Sequence, residues 1–313
     1  MLNKFWEELG GELGKKWLAY LLEPALSFWG IGLLAWVYNQ DAHWQALSDA
    51  WGGLDDAGKA TALAAAVMVL AASSALMRWV QGPLLRALEG YWPKWLFRLR
   101  QRRVEKVRAK LAKKKARWQV LRAQVRERGI TTLRAVEREA YVRLDHEIVR
   151  HYPPDEKDLM PTALGNRLRA AEDAPRCRYG LDAIVVWPHL WGLLPEQEQV
   201  TLSEARQALD GAVRLIGWGA LMLIWLVWAW WAFIPALALV AASWLRALNA
   251  AEIYGDLLRA AFALHRFDLY TALHWPLPAN THDEKEQGDQ LTAYLFRGMT
   301  KEAVPFVHAK KEA

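Results

Sequence analysis

The residues best suited to chemistry are histidines, and the segment at 146–151, HEIVRH, is the first to consider. In the HExxH motif of zinc metalloproteases the two histidines are four residues apart, so both project from one face of a helix. His146 and His151 are five residues apart, and Arg150 occupies the place of the second ligand. This spacing argues against a zinc protease site.

The other residues that could serve metal or nucleophilic chemistry show no better pattern. His265, His274 and His282 have spacings that place them on no common helical face. Cys177 is the single cysteine, so neither an intrachain disulfide nor a CxxC zinc pattern is possible. We find no paired carboxylates, and no nucleophile beside a base, at a convincing spacing. We therefore predict no enzymatic activity, no metal and no cofactor.

A dense mixture of arginines and carboxylates lies between residues 164 and 195, around the string WPHLW. It could form a ligand site near that string, or an ion-pair network that ties a cytosolic part to membrane helices. We favour the network, because buried charges are usually paired for structural reasons. The residues of this charged cluster are Arg167, Arg169, Glu172, Asp173, Arg178, Asp182 and His189.

Positive charge is concentrated between Arg86 and Arg134, where the excess of basic over acidic residues is roughly fourteen, against +6 for the whole chain. The sequence predicts a basic helix here that ends at Gly129. Three uses stay open: contact with anionic lipids, which we favour, a positive ring at the inner mouth of an oligomeric pore, and binding of nucleic acid or a nucleotide signal. The predicted contacts are Arg98, Arg102, Arg103, Lys106, Lys110, Lys113, Lys114 and Lys115.

Four apolar segments could hold these residues at a membrane. The first, at about 17–38, has roughly the twenty residues that cross a hydrocarbon core. It contains Glu23, and an ionisable residue within a span is by default a functional candidate. We favour the alternative that Glu23 lies at the cytoplasmic headgroups or pairs with an arginine such as Arg78, while Pro24 kinks the helix.

The second segment, at about 60–80, is rich in alanine and contains Ser73 and Ser74. Small residues let helix backbones approach closely inside a bilayer. This helix is therefore predicted to be surrounded by protein. It either packs in a bundle or subunit interface, which its composition favours, or lines a pore. Gly82 and Pro83 are predicted to end it.

The third and fourth segments, at about 212–233 and 234–250, have no room for a loop between them. They predict a tight helical hairpin, with Pro235 in the first turn of the returning helix. Four tryptophans crowd the turn. They fit an aromatic belt at the far membrane interface, and they equally fit buried side chains that pack a bundle. These residues are Trp225, Trp228, Trp230 and Trp231.

Charge predicts the topology. The loop at 39–58 has acidic residues but no lysine or arginine, whereas basic residues gather between the second and third segments and near both termini. Because basic loops stay in the cytoplasm, the loop at 39–58 is predicted to lie outside and both termini inside. The apolar run at 181–195 is too short and too interrupted to span, and is predicted to be a buried or re-entrant cytosolic segment.

The last two spans are predicted to continue into the cytosol as long helices. A TxxE capping box at Thr201 and Glu204 predicts a helix that starts near Leu202 and runs into the third segment. The fourth segment is predicted to continue to Pro276, over about forty residues or roughly 60 Å. Such rods could transmit a cytosolic binding event to the membrane, or serve as inert stalks.

Shorter helices are predicted from local signals in the cytosolic part. One ends before Pro153, and another begins near Thr162. A final helix is predicted to begin at a capping box formed by Thr281 and Glu284, and to end at Gly298.

Four strings resemble motifs of an uncharacterised group of bacterial multi-pass membrane proteins. They are EGYWP at 89–93, LGNRLRAAED at 164–173, RYGLDAIVVWPHL at 178–190 and YGDLLRAAFALHRFDLY at 254–270. Together they cover about a fifth of the chain. The resemblance implies a bacterial membrane protein and assigns no site.

The fold predicted from these observations is all-α, a polytopic membrane protein with four transmembrane helices and a helical cytosolic domain. Its predicted parts are 1–80 with the first hairpin, the basic domain 81–210, the second hairpin 211–250, and the extension 251–313. We predict the bacterial inner membrane as location, anionic lipids as partners and a homo-oligomer as assembly. The predicted function is a channel or membrane effector gated from the cytosol, with a non-conducting scaffold or sensor as the alternative and an enzyme as a distant third.

Overall fold

The computed structural model describes residues 24–39, 41–227, 229–299 and 303–307, and every regular element in those ranges is helical. The all-α prediction is confirmed for this part of the chain. Its α-helices are α1 (Pro24–Asn39), α2 (Asp41–Gly52), α3 (Asp56–Glu89), α4 (Phe97–Arg128), α5 (Ala135–His151), α6 (Ala163–Tyr179), α7 (Ala183–Trp191), α8 (Glu196–Leu221), α9 (Phe233–Ala272) and α10 (Glu284–Arg297).

Three helical stretches are long and apolar enough to cross a membrane: Asp56–Arg128, Glu196–Val227 and Trp230–Ala272. They contain the second and fourth predicted segments and most of the third. The first predicted segment corresponds in part to α1, an apolar helix that is shorter than the other three. Glu23 lies outside the described residues. Length and composition therefore fit a membrane protein.

The chain divides into two units, which we call the apolar unit and the polar unit. The apolar unit contains the described residues 24–85 together with Asp210–Arg246. The polar unit contains Arg86–Leu209 and the residues from Ala247 onward. The boundaries fall inside α3, α8 and α9, so each of these helices contributes residues to both units.

Aromatic side chains make the core of the apolar unit. The ring of Phe28 on α1 lies 5.3 Å from Trp218 and 4.9 Å from Trp225, centroid to centroid. Gly32 faces the Trp225 ring so closely that any side chain would collide with it. Trp225 is buried, whereas Trp230 is 76% exposed. The described tryptophans of the predicted cluster are thus divided between packing and exposure, and Trp228 lies outside the described residues.

The core of the polar unit is formed by α6, α7, α9 and α10 around fully buried leucines and aromatic residues such as Phe262 and Tyr270. Local signals explain where α6 begins and ends. The Thr162 hydroxyl accepts a hydrogen bond from the Gly165 amide at 3.0 Å, as predicted for an N-cap. At the other end Gly180 has φ +72°, the left-handed conformation that glycine adopts without strain. The predicted ends at Gly129, Pro153 and Gly298 are also confirmed.

Three predicted helix boundaries are wrong. In each case a tertiary contact or another local signal overrides the local signal from which the boundary was predicted. Helix α3 continues through Pro83 to Glu89. Helix α8 begins at Glu196, where the Pro195 carbonyl accepts from the amides of its first turn, and the Thr201 hydroxyl donates to a carbonyl inside the helix. Helix α10 begins at Glu284, whose side chain pairs with Arg266 instead of closing a capping box.

Two other segments differ from the expectation. The predicted outer loop at 39–58 contains helix α2, which begins at Asp41. The third apolar segment is an α-helix only as far as Leu221, and it continues as a 3₁₀ turn over Met222–Val227. Helix α9 ends at Ala272, four residues before Pro276, and its forty residues agree with the predicted length.

Candidate functional site

The charged cluster predicted between residues 164 and 195 is divided among several places in the polar unit. Arg169 lies at the centre of the first group. Its guanidinium is 3.1 Å from the Asp173 carboxylate, 3.6 Å from Asp158 and 3.9 Å from Glu172. Residues four apart on a helix face the same way, which is why Arg169 and Asp173 meet. This group is an ion-pair network within the polar unit.

Arg167 belongs to a second group, which connects α5 and α6 to α9. His151 Nε2 lies 3.1 Å from Glu252 Oε2, and Arg150 lies 2.7 Å from Asp256. Burial lowers the pKa of His151 and the charge of Arg167 lowers it further, although the hydrogen bond to Glu252 opposes both effects. At neutral pH the contact between His151 and Glu252 is therefore a hydrogen bond from a neutral imidazole.

The other three residues of the cluster lie elsewhere. Arg178 is exposed at the end of α6. The Asp182 carboxylate caps α7 by accepting from the Ile184 amide at 3.0 Å, and it lies 4.0 Å from Arg176. His189 is exposed on α7. The seven predicted residues therefore do not converge on one ligand near WPHLW.

A group of half-buried carboxyls forms where the end of α3 meets α6, beyond the predicted membrane segment. The Thr162 hydroxyl donates to the Glu89 carbonyl at 2.9 Å, which brings these two helices together. Burial and the charge of Glu172 raise the pKa of Glu89 to about 7, while Arg206 and Arg86 oppose them. Burial likewise raises the pKa of Asp173, to about 6. This site can therefore hold protons near neutral pH.

Sequence reasoning missed Glu89 and Arg206 as members of this group. Glu89 is the first residue of the string EGYWP, but nothing local indicates that Glu172, more than eighty positions later, influences its pKa. Arg206 lies on α8 and acts on both carboxyls. Neither contact has a short-range signal in the sequence.

The raised pKa of Glu89 predicts a pH-dependent gain in stability for Glu89→Gln. The folded protein holds this proton more tightly than the unfolded chain, so stability is lost as pH rises from about 4.5 to about 7. Glutamine is neutral throughout. We expect the variant to be more stable than the native protein at pH 8 by about 1 kcal/mol, a value reduced for solvent screening, and not at pH 4.

Thermal unfolding at both pH values, followed by tryptophan fluorescence, checks this expectation. Glu105→Gln is the matched control, because Glu105 is an exposed acid on α4. A stabilisation by Glu89→Gln that is equal at pH 4 and pH 8 contradicts the assigned cause.

A cavity of about 620 Å³ lies beside WPHLW. Trp187, Trp191, Tyr254 and Arg206 contribute to its lining, and the Arg206 guanidinium lies 5.7 Å from the centre of the Tyr254 ring. A cation above an aromatic face is electrostatically favourable. This aromatic wall was not predicted, and no residue of the charged cluster lines it.

The basic helix is α4, and its cations have two different environments. Lys114 pairs with Glu147 on α5, and Lys115 donates to Glu156 at 2.6 Å. These two lysines thus hold α4 against neighbouring elements, so their charges are already partly neutralised. Of the predicted contacts, the cations that stay exposed are Arg98, Arg102, Arg103, Lys106, Lys110 and Lys113.

The two serines of the second apolar segment face protein. Ser73 Oγ accepts from the Trp29 indole at 3.3 Å and donates to the Leu70 carbonyl at 3.0 Å, while Ser74 is buried. These contacts fit the packing alternative. Among the described residues, no group of three or more His, Cys, Asp or Glu side chains is arranged to hold a metal ion.

Comparison of the chain with protein-family models, with curated proteins and with solved structures finds no match.

Proposed function

We propose that this chain is a bacterial inner-membrane protein that crosses the membrane four times and has both termini and a helical domain in the cytoplasm. We further propose that it assembles as a homo-oligomer and acts as a channel or membrane effector gated from the cytosol. Three stretches with the length and composition of membrane spans support the first proposal. The small residues of α3, mostly alanines with Ser73 and Ser74, support assembly, because they let helix backbones approach closely inside a bilayer.

The observation that carries the gating proposal is helix α9. It is forty residues long, which corresponds to roughly 60 Å. Its first part is the fourth apolar segment, and its later part carries Glu252 and Asp256, which bind side chains of α5. A change in the α5 contacts therefore acts on the same helix that is proposed to cross the membrane.

The proposed topology predicts the location of two reporters. A reporter fused after Ser48 is expected to lie outside the cytoplasm, because its flanking loop has no lysine or arginine. A reporter fused after Gly192 is expected to be cytoplasmic. Alkaline phosphatase and green fluorescent protein fusions distinguish the two sides. Cytoplasmic behaviour of the Ser48 fusion contradicts the topology.

Ion flux tests the proposed function. The purified protein in liposomes is expected to pass ions, and Glu252→Gln is expected to change its open probability several-fold without changing its unitary conductance. The reason is that Glu252 contacts both His151 and Arg150, so the substitution weakens the connection between α5 and α9. Planar-bilayer recordings measure both quantities.

Asp268→Asn is the matched control for Glu252→Gln. Asp268 is also an acid of α9 with a histidine partner, but that partner, His265, lies on the same helix at 2.9 Å. The control is expected to gate as the native protein does. Correctly inserted native protein that passes no ions favours the non-conducting scaffold or sensor. The exposed cations of α4 would serve that alternative as well, by contact with anionic lipids.

An enzymatic function and nucleic-acid binding have less support. The half-buried carboxyls near Glu89 could exchange protons, but this property alone assigns no reaction. The exposed charge of α4 attracts a polyanion without giving it specificity.

A further inference from the structure

A second cavity, of about 250 Å³, lies in the polar unit and is separate from the aromatic cavity beside WPHLW. Helices α4, α5, α6 and α9 and the turn after α5 all contribute to its lining. Much of its wall is apolar and includes Leu111, Tyr152, Pro153 and Ala174. Such a wall suits the organic part of a small molecule.

The charged residues that line this cavity all have the same sign. They are Lys115, Arg178 and Arg259, and no acidic residue is among the described residues of the lining. Three cations on an otherwise apolar wall favour an anion, because the low polarity of the surroundings strengthens each interaction.

Two of these cations have donor capacity to spare. Arg259 donates from one terminal nitrogen to Asp256 at 2.5 Å, but its other terminal nitrogen, Nη1, is buried and has no hydrogen-bond partner among the described residues. A buried donor without an acceptor is costly. Arg178 is exposed and forms no ion pair with the described part of the chain. An anion in the cavity could satisfy both guanidinium groups.

We propose that this cavity binds a small organic phosphate, whose phosphate group is held by Arg178 and Arg259 and whose organic part lies against the apolar wall. Guanidinium groups bind phosphate oxygens through paired, charge-assisted hydrogen bonds. Lys115 adds positive charge, although it is shared with Glu156 at 2.6 Å. This site does not depend on the proposed channel, since binding can be measured whether or not the protein conducts.

The alkylation rate of Cys177 can report whether the cavity holds a ligand. Cys177 is the single cysteine of the chain and belongs to the lining of this cavity. It is exposed, so a bound ligand should shield it from alkylation. Partial burial raises the pKa of its thiol and so lowers the fraction of reactive thiolate, which is why labelling is done at pH 8 and not at neutral pH.

The experiment uses the full chain in phosphatidylcholine nanodiscs and follows alkylation by N-ethylmaleimide with mass spectrometry. Three probes separate the parts of the ligand: 1-naphthyl phosphate, neutral 1-naphthol and inorganic phosphate. We expect 1-naphthyl phosphate to slow alkylation several-fold at concentrations where the other two have little effect.

Arg178→Gln is expected to raise the concentration of 1-naphthyl phosphate needed for protection by about tenfold, because one charge-assisted contact is lost. Arg176→Gln is the matched control. It makes the same change of charge on the same turn of α6, but Arg176 does not line the cavity. Because Arg176 also influences the thiol pKa, each variant is compared with and without the probe.

The outcomes separate clearly. Protection that is lost in Arg178→Gln and kept in Arg176→Gln supports the site. Equal protection by 1-naphthol shows an apolar site only, and equal protection by inorganic phosphate shows an anion site without an organic part. Either result overturns the proposal, as does the absence of protection by millimolar 1-naphthyl phosphate.

Discussion

Replacing Asn166 by alanine is expected to lower the free energy of unfolding by about 3 kcal/mol. Asn166 is 2% exposed at the start of α6. Its side-chain oxygen accepts from the Met160 amide at 2.9 Å, and its side-chain nitrogen donates to the carbonyls of Met160 at 2.7 Å and Thr162 at 2.6 Å. Alanine leaves these backbone groups buried without their partners, and each unsatisfied group costs about 1–3 kcal/mol.

Urea unfolding of the detergent-solubilised protein, followed by near-ultraviolet circular dichroism, measures this loss. Asn280→Ala is the matched control. The Asn280 side chain also accepts from two backbone amides, those of His282 and Asp283, but it is exposed. Water replaces its bonds, so we expect a loss below about 1 kcal/mol. Equal losses in the two variants contradict the explanation by burial.

The hydrogen bonds of Asn166 also help to position the candidate site. The segment from Met160 to Thr162 positions the start of α6, and the Thr162 hydroxyl holds the end of α3 through the Glu89 carbonyl. A side chain on Gly165 would collide with that same carbonyl. The backbone around Asn166 thus brings Glu89 close enough to Glu172 for the charge of Glu172 to raise the Glu89 pKa.

Local signals were enough to predict α6, and they failed where a distant residue competes. Thr162 and Gly180 cap α6 by contacts within a few residues, so the sequence contains the whole signal. Glu284 resembles the last residue of a capping box, but Arg266 on α9 takes its carboxylate at 2.5 Å. No pattern near Thr281 shows that Arg266 is close.

At the candidate sites, too, the local contacts could be predicted from the sequence and the distant contacts could not. Arg169 and Asp173 are four apart on one helix, so their pairing could be predicted from spacing alone. The partners of Arg150 and His151, which are Asp256 and Glu252, lie about a hundred residues away. Their contacts depend on how α5 packs against α9, which spacing along the chain does not encode. The cavity with three cations is likewise made from four helices.

Gly288→Ala is expected to destabilise the packing of α10 on α6, with a net loss of about 2 kcal/mol. A Cβ atom at position 288 would collide with the Tyr179 carbonyl oxygen and lie 3.1 Å from the carbonyl carbon of Gly180. These are backbone atoms, so the two helices must separate. Their separation weakens the hydrogen bond from the Thr292 hydroxyl to the Gly180 carbonyl, at 3.0 Å. Alanine by itself favours the helix by up to about 1 kcal/mol, which offsets only part of the loss.

Hydrogen exchange of the α10 amides, measured together with urea unfolding, tests the Gly288→Ala prediction. We expect faster exchange along α10 and little change in α5, whose packing does not involve position 288. Gly30→Ala is the matched control, since Gly30 also lies inside a helix but has open space where the Cβ would be. There the helix preference acts alone, and the variant should be as stable as the native protein or more stable. If Gly288→Ala behaves in the same way, the close contact between α6 and α10 does not hold the final helix in place.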